Sequence, residues 1–216
     1  MNVLVIAPHI DDEILGVGGT MIKHVDAGDT VCVVFVADRE GMVTKQREES
    51  IRVSQLVGYS HTFWLGLNDE LLDSNSRHII KALEKVYREV QPDVVYTCHR
   101  GDVNTDHQAV FNASAVVCRP LQAHPPSKFL SYEVPSSTSQ GIEFPFTPNV
   151  YNQLTTNQLE QKIKAFEIYE DEIRDMPNPR NSDGICNYAC QRGMECGKEF
   201  AEAFMLLRGI YGNAVG

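Results

Sequence analysis

Two short polar segments carry residue types that can bind a metal ion and activate water. His9, Asp11 and Asp12 follow an apolar run at the start of the chain, and a second polar segment, residues 99–107, ends at His107. Two imidazoles and a carboxylate form a ligand set that leaves zinc one open position for water. Zinc lowers the pKa of that water to about 7, and a free carboxylate beside it can take the proton. The pattern predicts amide hydrolysis, with His9, Asp12 and His107 as metal ligands and Asp11 as general base.

Each segment also has a purely structural interpretation. An aspartate that follows a strand commonly caps the next helix, and Asp11 or Asp12 would serve that purpose. A single histidine in a loop is usually not a ligand. The metal interpretation is favoured because both segments follow predicted strands, and the carboxyl ends of parallel strands share one edge of a sheet.

Strand-like and helix-like runs alternate over the first 120 residues, which is typical of a parallel sheet covered by helices. We predict a three-layer, Rossmann-like α/β fold with a mostly parallel sheet and helices on both faces. In such a sheet the first and fourth strands flank the switch point, so the two polar segments would meet there. Strands are predicted at residues 3–7, 31–37, 61–65, 93–98 and 128–134. Helices are predicted at residues 12–25, 45–57, 79–90, 106–118, 159–174 and 188–207.

The whole chain, residues 1–216, is predicted to form one domain. Residues 120–155 are rich in proline, serine and threonine and are predicted as a lid or edge-strand excursion within that domain. The acidic run 170–172 is predicted as a solvated helix face.

Composition excludes several classes of protein. The formal net charge of -10 argues against a protein that binds nucleic acid through its phosphates. The first apolar run stops at Ala7, too short for a signal sequence, and no later run reaches the length of a membrane span. The six cysteines are too sparse for a disulfide scaffold. We therefore predict a cytoplasmic protein that does not bind membranes, with homo-oligomerisation left open.

A glycine-rich stretch after the first strand resembles a dinucleotide-binding fingerprint only superficially. Gly16 and Gly18 have the required spacing, but Met21 occupies the position of the third glycine. The acidic residues 11–13 would also repel a pyrophosphate at this turn. These glycines are predicted instead to allow close packing of helix against sheet.

The polar segments resemble those of a known family. Residues 8–13 (PHIDDE) are similar to the signature of the LmbE/PIG-L superfamily of zinc-dependent N-deacetylases, with Ile10 where proline is usual. Residues 104–107 (NTDH) resemble its second metal segment, and residues 63–69 (FWLGLND) resemble a further motif. Similarity extends to residues 132–138, 176–180 and 193–208, the last matching the closing helix of the family.

The resemblance implies a role for several residues. His9, Asp12 and His107 would bind one zinc, or another divalent transition metal, per chain, and Asp11 would be the general base. Asp106 would orient one of the ligand imidazoles.

Other site residues follow less directly from the resemblance. Asn104 stands where some members carry a histidine that stabilises the oxyanion, and its amide can still donate a hydrogen bond. His99 is then the candidate for protonating the leaving amine. Arg47, next to Gln46 in the second helix, and Arg180 are the predicted substrate contacts, although Arg180 is equally well explained as a solvated loop charge.

The implied reaction is hydrolysis of the N-acetyl group of a small N-acetylglucosamine-type sugar or its conjugate, with release of acetate. Two alternatives remain open. One is a different amide hydrolase on the same metal site, resembling a thiol-conjugate amidase. The other is a metal- or nucleotide-binding module without catalysis.

Overall fold

The computed structural model describes residues 1–72 and 76–212 and confirms a mostly parallel sheet. Its seven strands are β1 (Asn2–Ala7), β2 (Thr30–Asp38), β3 (His61–Asn68), β4 (Val94–Cys98), β5 (Lys128–Tyr132), β6 (Val150–Leu154) and β7 (Phe200–Gly209). Their order across the sheet is β3-β2-β1-β4-β5-β7-β6. Strands β1 to β5 pair in parallel, whereas β7 runs antiparallel to both of its neighbours. The central strands are almost wholly buried, which explains their continuous apolar sequences.

Helices cover both faces of the sheet, as the strand–helix alternation predicts. The helices are α1 (Asp12–Asp26), α2 (Val43–Val57), α3 (Ser76–Val90), α4 (Thr105–Val117), α5 (Thr156–Phe166) and α6 (Ser182–Cys196). Helix α1 packs with α2 and α5, and α5 packs with α6, while α3 packs with α4 in a separate layer. Right-handed crossovers place α1 and α2 on one face and α3 and α4 on the other, because the chain reverses direction across the sheet after β3. Within the described residues, none of these helices combines the length and apolar character needed to cross a bilayer.

Glycines bring α1 into close contact with the sheet, which confirms the predicted role of this glycine-rich stretch. A Cβ atom on Gly16 would overlap the ring of Tyr132 in β5, and one on Gly19 would lie 2.5 Å from the side chain of Leu154 in β6. Tyr132 cannot easily move aside, because it is fully buried and its hydroxyl donates a hydrogen bond to the carbonyl of Ile6. The small residues therefore set the distance between helix and sheet.

Replacing Gly16 with alanine is expected to destabilise the fold by about 1–3 kcal/mol through overpacking. This cost exceeds the gain of about 1 kcal/mol from the better helix propensity of alanine. Gly18→Ala is the matched, milder control, since its Cβ would lie 3.2 Å from the side chain of Lys162, without the overlap that occurs at Gly16. Urea denaturation of both variants measures the difference. An unchanged or higher midpoint for Gly16→Ala would contradict this account of the packing.

The predicted closing helix, residues 188–207, is confirmed as far as Cys196 and wrong beyond that residue. Helix α6 ends at Cys196, and Gly197 adopts a left-handed conformation with φ 71° that reverses the chain. The following segment forms β7, although Ala201, Glu202 and Ala203 are residue types that favour helices. The segment becomes a strand because it bonds to β5 on one side and β6 on the other. Hydrogen bonding of β7 to a strand on each side outweighs the helix propensity of its residues.

Two other boundaries also differ from the prediction. The helix predicted at residues 159–174 stops at Phe166 and is followed by a 3₁₀ turn, Glu170–Glu172. The strand predicted at residues 128–134 is present as β5, but it lies inside the sheet. The edge strand of the excursion is β6, which the sequence pattern did not reveal.

Candidate active site

The two polar segments meet at the carboxyl edge of the sheet. Strands β1 and β4 are neighbours, so the loops that follow Ala7 and Cys98 lie side by side. Helices α1 and α4 begin directly after these loops and carry Asp12 and His107 in their first turns. The structure therefore brings the two segments together as the predicted topology requires.

His9, Asp12 and His107 form a compact cluster around one carboxylate oxygen. Asp12 Oδ2 lies 3.2 Å from His107 Nε2 and 3.4 Å from His9 Nδ1. The potential ligand atoms of these residues all lie within 4.8 Å of one another. The same oxygen of Asp12 accepts a hydrogen bond from the backbone N–H of His9, which fixes the carboxylate in place. Two imidazoles and a carboxylate converging in this way can hold a divalent metal.

A second set of carboxylates holds the far side of each imidazole. His9 Nε2 lies 2.9 Å from Asp69 Oδ1 and 3.2 Å from Asp106 Oδ2. His107 Nδ1 lies 3.1 Å from Asp102 Oδ2. Metal-binding histidines commonly have a carboxylate at the nitrogen that does not bind the metal, which sets the tautomer and the ring orientation. His9, Asp69 and Asp106 also converge closely enough to bind a cation, but they use the His9 nitrogen that faces away from Asp12.

Backbone hydrogen bonds anchor Asp106. Its two carboxylate oxygens accept hydrogen bonds from the backbone N–H groups of Glu70 and Leu72, at 2.8 and 3.0 Å. Its own backbone N–H donates to Asn104 Oδ1, which caps α4. These bonds tie the loop after β3 to the start of α4, directly behind His9.

The electrostatics of the cluster favour a bound cation. Burial lowers the pKa of His107, but Asp12 and Asp102 raise the pKa more strongly, to about 9. The same balance raises the pKa of His9, where Asp106 and Asp12 outweigh the burial. Burial raises the pKa of Asp12, yet the two imidazoles hold that pKa below its usual range. The surroundings thus stabilise positive charge between these residues, and a divalent metal would supply it.

Asp11 is a buried carboxylate that stands next to this cluster and is not part of it. It precedes α1 in a left-handed conformation, φ 86°, and within the described residues its side chain makes no capping hydrogen bond. The carboxylate instead contacts the guanidinium of Arg180. Burial raises the pKa of Asp11 to about 7, although the Arg180 charge opposes this shift. A group that exchanges a proton near neutrality is suited to acid–base catalysis.

An open cavity of about 190 Å³ gives access to these groups. Its walls are mainly polar, and Val134, Ile10 and Ala37 supply the apolar part. Ser136 and Ser137, from the segment after β5, close one side. The remaining lining residues are His9, Asp11, Asp12, Arg39, Gln46, Asp69, Glu70, Asn104, His107, Glu172 and Arg180.

A sequence profile of the family described as "PIG-L: GlcNAc-PI de-N-acetylase" matches residues 4–118, a little more than half of the chain. The chain belongs to the PIG-L family. The matched region includes the whole cluster of His9, Asp12 and His107 together with Asp11 and Asp106.

Relatives of this PIG-L protein include enzymes named as deacetylases. It is 28% identical over 178 residues to the uncharacterized deacetylase YaiS of Escherichia coli (strain K12), covering 78% of this chain and 90% of the relative. It is 24% identical over 228 aligned positions to diacetylchitobiose deacetylase of Thermococcus kodakarensis, covering 97% and 84%. A solved structure of a conserved protein from Thermus thermophilus shares the fold, with a TM-score of 0.80, 20% identity and coverage of 100% and 99%. The PIG-L chain is thus a hydrolytic N-deacetylase.

Two residues that the sequence nominated for the PIG-L site lie outside the cavity. The Nε2 atom of His99 is 2.7 Å from the carbonyl of Phe144, so His99 holds the excursion in place and does not face the reacting groups. Arg47 pairs with Asp38 at 3.3 Å and lies over the ring of Trp64. The predicted roles of His99 as acid and of Arg47 as substrate contact therefore do not fit their positions. Arg180 and Asn104 do line the cavity.

The structure also adds residues to the PIG-L site that sequence reasoning missed. Glu172 was predicted to be solvated, but its side chain is only 6% exposed and faces Arg39 and Arg180. Arg39 enters the cavity from the end of β2, and its backbone N–H donates to Gln46. Asp102 lies within the second polar segment, but its alignment with His107 depends on the fold of the loop. Asp69 is the last residue of the motif at residues 63–69, and the motif alone does not indicate that its carboxylate contacts His9.

Proposed function

We propose that the chain removes the N-acetyl group from an N-acetylglucosamine-type amino sugar, using a divalent metal, zinc in the first instance, held by His9, Asp12 and His107. The observation that supports this proposal most strongly is the position of Asp11. A buried carboxylate with a pKa near 7 lies beside a three-ligand cluster in a polar cavity, within a family of N-deacetylases. Polar walls suit a sugar, because its hydroxyl groups need hydrogen-bond partners.

The residues present fit a metal. The cluster supplies three ligands, and each imidazole has a carboxylate at its other nitrogen. When bound, the metal supplies Lewis acidity toward the acetyl carbonyl and toward the attacking water.

Asp11 is the proton carrier in this proposal. It accepts a proton from water as the water oxygen forms a bond to the acetyl carbon. It then passes the proton to the sugar nitrogen as the carbon–nitrogen bond breaks, so that acetate and a free amine are released. With His99 bound to the excursion, Asp11 performs both transfers: it takes the proton as a carboxylate and gives it up as a carboxylic acid.

Arg180 and Asn104 support these transfers. The Arg180 guanidinium contacts Asp11 and lies 3.0 Å from Glu172, which holds the Asp11 carboxylate in one orientation. The side-chain oxygen Oδ1 of Asn104 accepts a hydrogen bond from the backbone N–H of Asp106. The side-chain NH₂ group of Asn104 can act as the donor toward the substrate. An amide donor at this position can stabilise the negative charge that develops on the acetyl oxygen.

Acetate release from a panel of N-acetylated sugars tests the proposal. The metal-loaded protein is expected to release acetate, and His9→Ala is expected to lose both metal and activity. His61→Ala is the matched control, because His61 is exposed at the start of β3. Cleavage of another amide without acetate would support the alternative amide hydrolase. Metal binding without turnover of any amide would support a non-catalytic module.

Asp102→Asn is expected to weaken metal binding about 10- to 100-fold, because the substitution disturbs the group that orients His107. Asp102 is fully buried and also accepts hydrogen bonds from Ser137 and Thr138. Competition with a chromogenic chelator measures the affinity. Asp183→Asn, an exposed change in the first turn of α6, serves as control. Equal affinity in Asp102→Asn and the parent protein would rule out this orienting role.

A further inference from the structure

Glu172 neutralises both guanidiniums of the cavity. Its Oε1 lies 3.1 Å from Arg39 Nη1, and its Oε2 lies 3.0 Å from Arg180 Nη2. Each arginine has a second carboxylate, since Arg180 also contacts Asp11 and Arg39 Nε lies 3.6 Å from Asp69. The guanidiniums of Arg39 and Arg180 are therefore both paired with carboxylates. A third guanidinium, that of Arg174, lies farther from Glu172, at 3.9 Å.

This arrangement is unfavourable for an anionic ligand. A phosphate or carboxylate group that approached Arg39 or Arg180 would lie beside the carboxylate of Glu172, whose side chain is only 6% exposed and already pairs with both guanidiniums. The charges of the lining would also repel it, because five carboxylates exceed two guanidiniums there, and they still exceed the positive charges when a divalent cation is counted. The lining carboxylates are Asp11, Asp12, Asp69, Glu70 and Glu172. Like charges brought together at a binding site reduce affinity for the wrong ligand.

We propose that Glu172 is a specificity-determining residue that restricts the cavity to uncharged saccharides and excludes phosphorylated or carboxylated sugar conjugates. This inference rests on the proposed deacetylase function and specifies its substrate class. The hydroxyl groups of a neutral sugar can bond to the paired carboxylates and guanidiniums without separating them. An anionic conjugate gains little from either guanidinium, because Glu172 together with Asp69 and Asp11 already balances their charge.

The test compares the methyl glycoside of N-acetylglucosamine with N-acetylglucosamine 1-phosphate as substrates of the metal-loaded protein. We expect kcat/KM to favour the neutral glycoside by at least about tenfold. In Glu172→Gln, which is nearly isosteric, both guanidiniums lose a counter-charge. The preference should then shift toward the phosphate by about tenfold. Glu170→Gln is the matched control, because Glu170 is exposed on the same 3₁₀ turn, and it should leave the preference unchanged.

Binding measurements keep this test independent of catalysis. Calorimetric titration with methyl glucoside and glucose 1-phosphate, which carry no amine and differ in the phosphate charge, should show the same preference and the same shift in Glu172→Gln. Equal or tighter binding of the phosphate to the parent protein would overturn the inference, as would an unchanged preference in Glu172→Gln. Absence of acetate from every sugar, with the neutral glycoside still bound in preference to the phosphate, would contradict the deacetylase function alone. Circular dichroism confirms that each variant is folded.

Discussion

Replacing Asp11 with asparagine should lower kcat for deacetylation by about 10²- to 10⁴-fold, the usual contribution of a general acid–base residue. Metal content should not change, because Asp11 lies beside the cluster of His9, Asp12 and His107 and is not a member of it. Asparagine also tolerates the left-handed backbone at this position, φ 86°, so the substitution adds no strain. The decrease in kcat would therefore measure the contribution of the Asp11 carboxylate to proton transfer.

The pH dependence of Asp11→Asn provides a second readout. A general base must be ionised, so kcat/KM of the parent protein should fall as the pH drops through the pKa of Asp11. Burial raises that pKa to about 7, and a divalent cation in the neighbouring cluster would lower the pKa by favouring the charged form. The acid limb should lie at or below pH 7 and should disappear in Asp11→Asn. Full activity of a metal-loaded Asp11→Asn protein would refute the assigned role.

Replacing Asp12 with alanine should abolish stoichiometric metal binding and reduce activity about a thousandfold or more, equivalent to about 4 kcal/mol of transition-state stabilisation. Asp12 Oδ2 is the atom on which the two imidazoles converge, at 3.4 and 3.2 Å. Its removal deletes one of the three proposed ligands and also the hydrogen bond that the carboxylate accepts from the His9 backbone. Metal content after dialysis and acetate release together measure the effect.

Asp26→Ala is the control for this second variant, because Asp26 is exposed at the opposite end of the same helix. It should retain one metal per chain and parental activity. If Asp12→Ala bound metal with unchanged affinity, the ion would belong to the other convergent group, His9 with Asp69 and Asp106. The Asp11 and Asp12 variants thus separate proton transfer from metal binding, since only Asp12→Ala should lose the metal.

The part of the site that local sequence determines was visible without coordinates. His9, Asp11 and Asp12 are close in the chain and follow a strand, so their grouping requires only that β1 end at Ala7. The link to His107 requires β1 and β4 to be neighbours, and strand–helix alternation with right-handed crossovers leaves few other arrangements. The α/β fold and the family membership follow from the same patterns.

Roles predicted from chain position alone do not fit the structure as well. The place of Arg47 in the second helix suggested a substrate contact, but Arg47 faces Asp38 and Trp64, while Arg39 joins Arg180 in lining the cavity. His99 belongs to the correct segment, yet its ring turns toward the carbonyl of Phe144. A loop residue can point in several directions, and sequence carries little information about which one the packing selects.

Tertiary structure alone decided the features that depend on distant partners. The segment containing Glu202 has the composition of a helix, but it becomes β7 because it pairs with β5 and β6. Glu172 sits in an acidic run typical of solvated surfaces, yet it is buried against Arg180, eight residues later, and against Arg39, which follows the distant strand β2. The sequence by itself thus determined the sheet, the family and the chemistry that neighbouring residues can perform. The edges of the sheet and the charge balance of the cavity emerged only in the folded protein, because both depend on contacts between groups far apart in the chain.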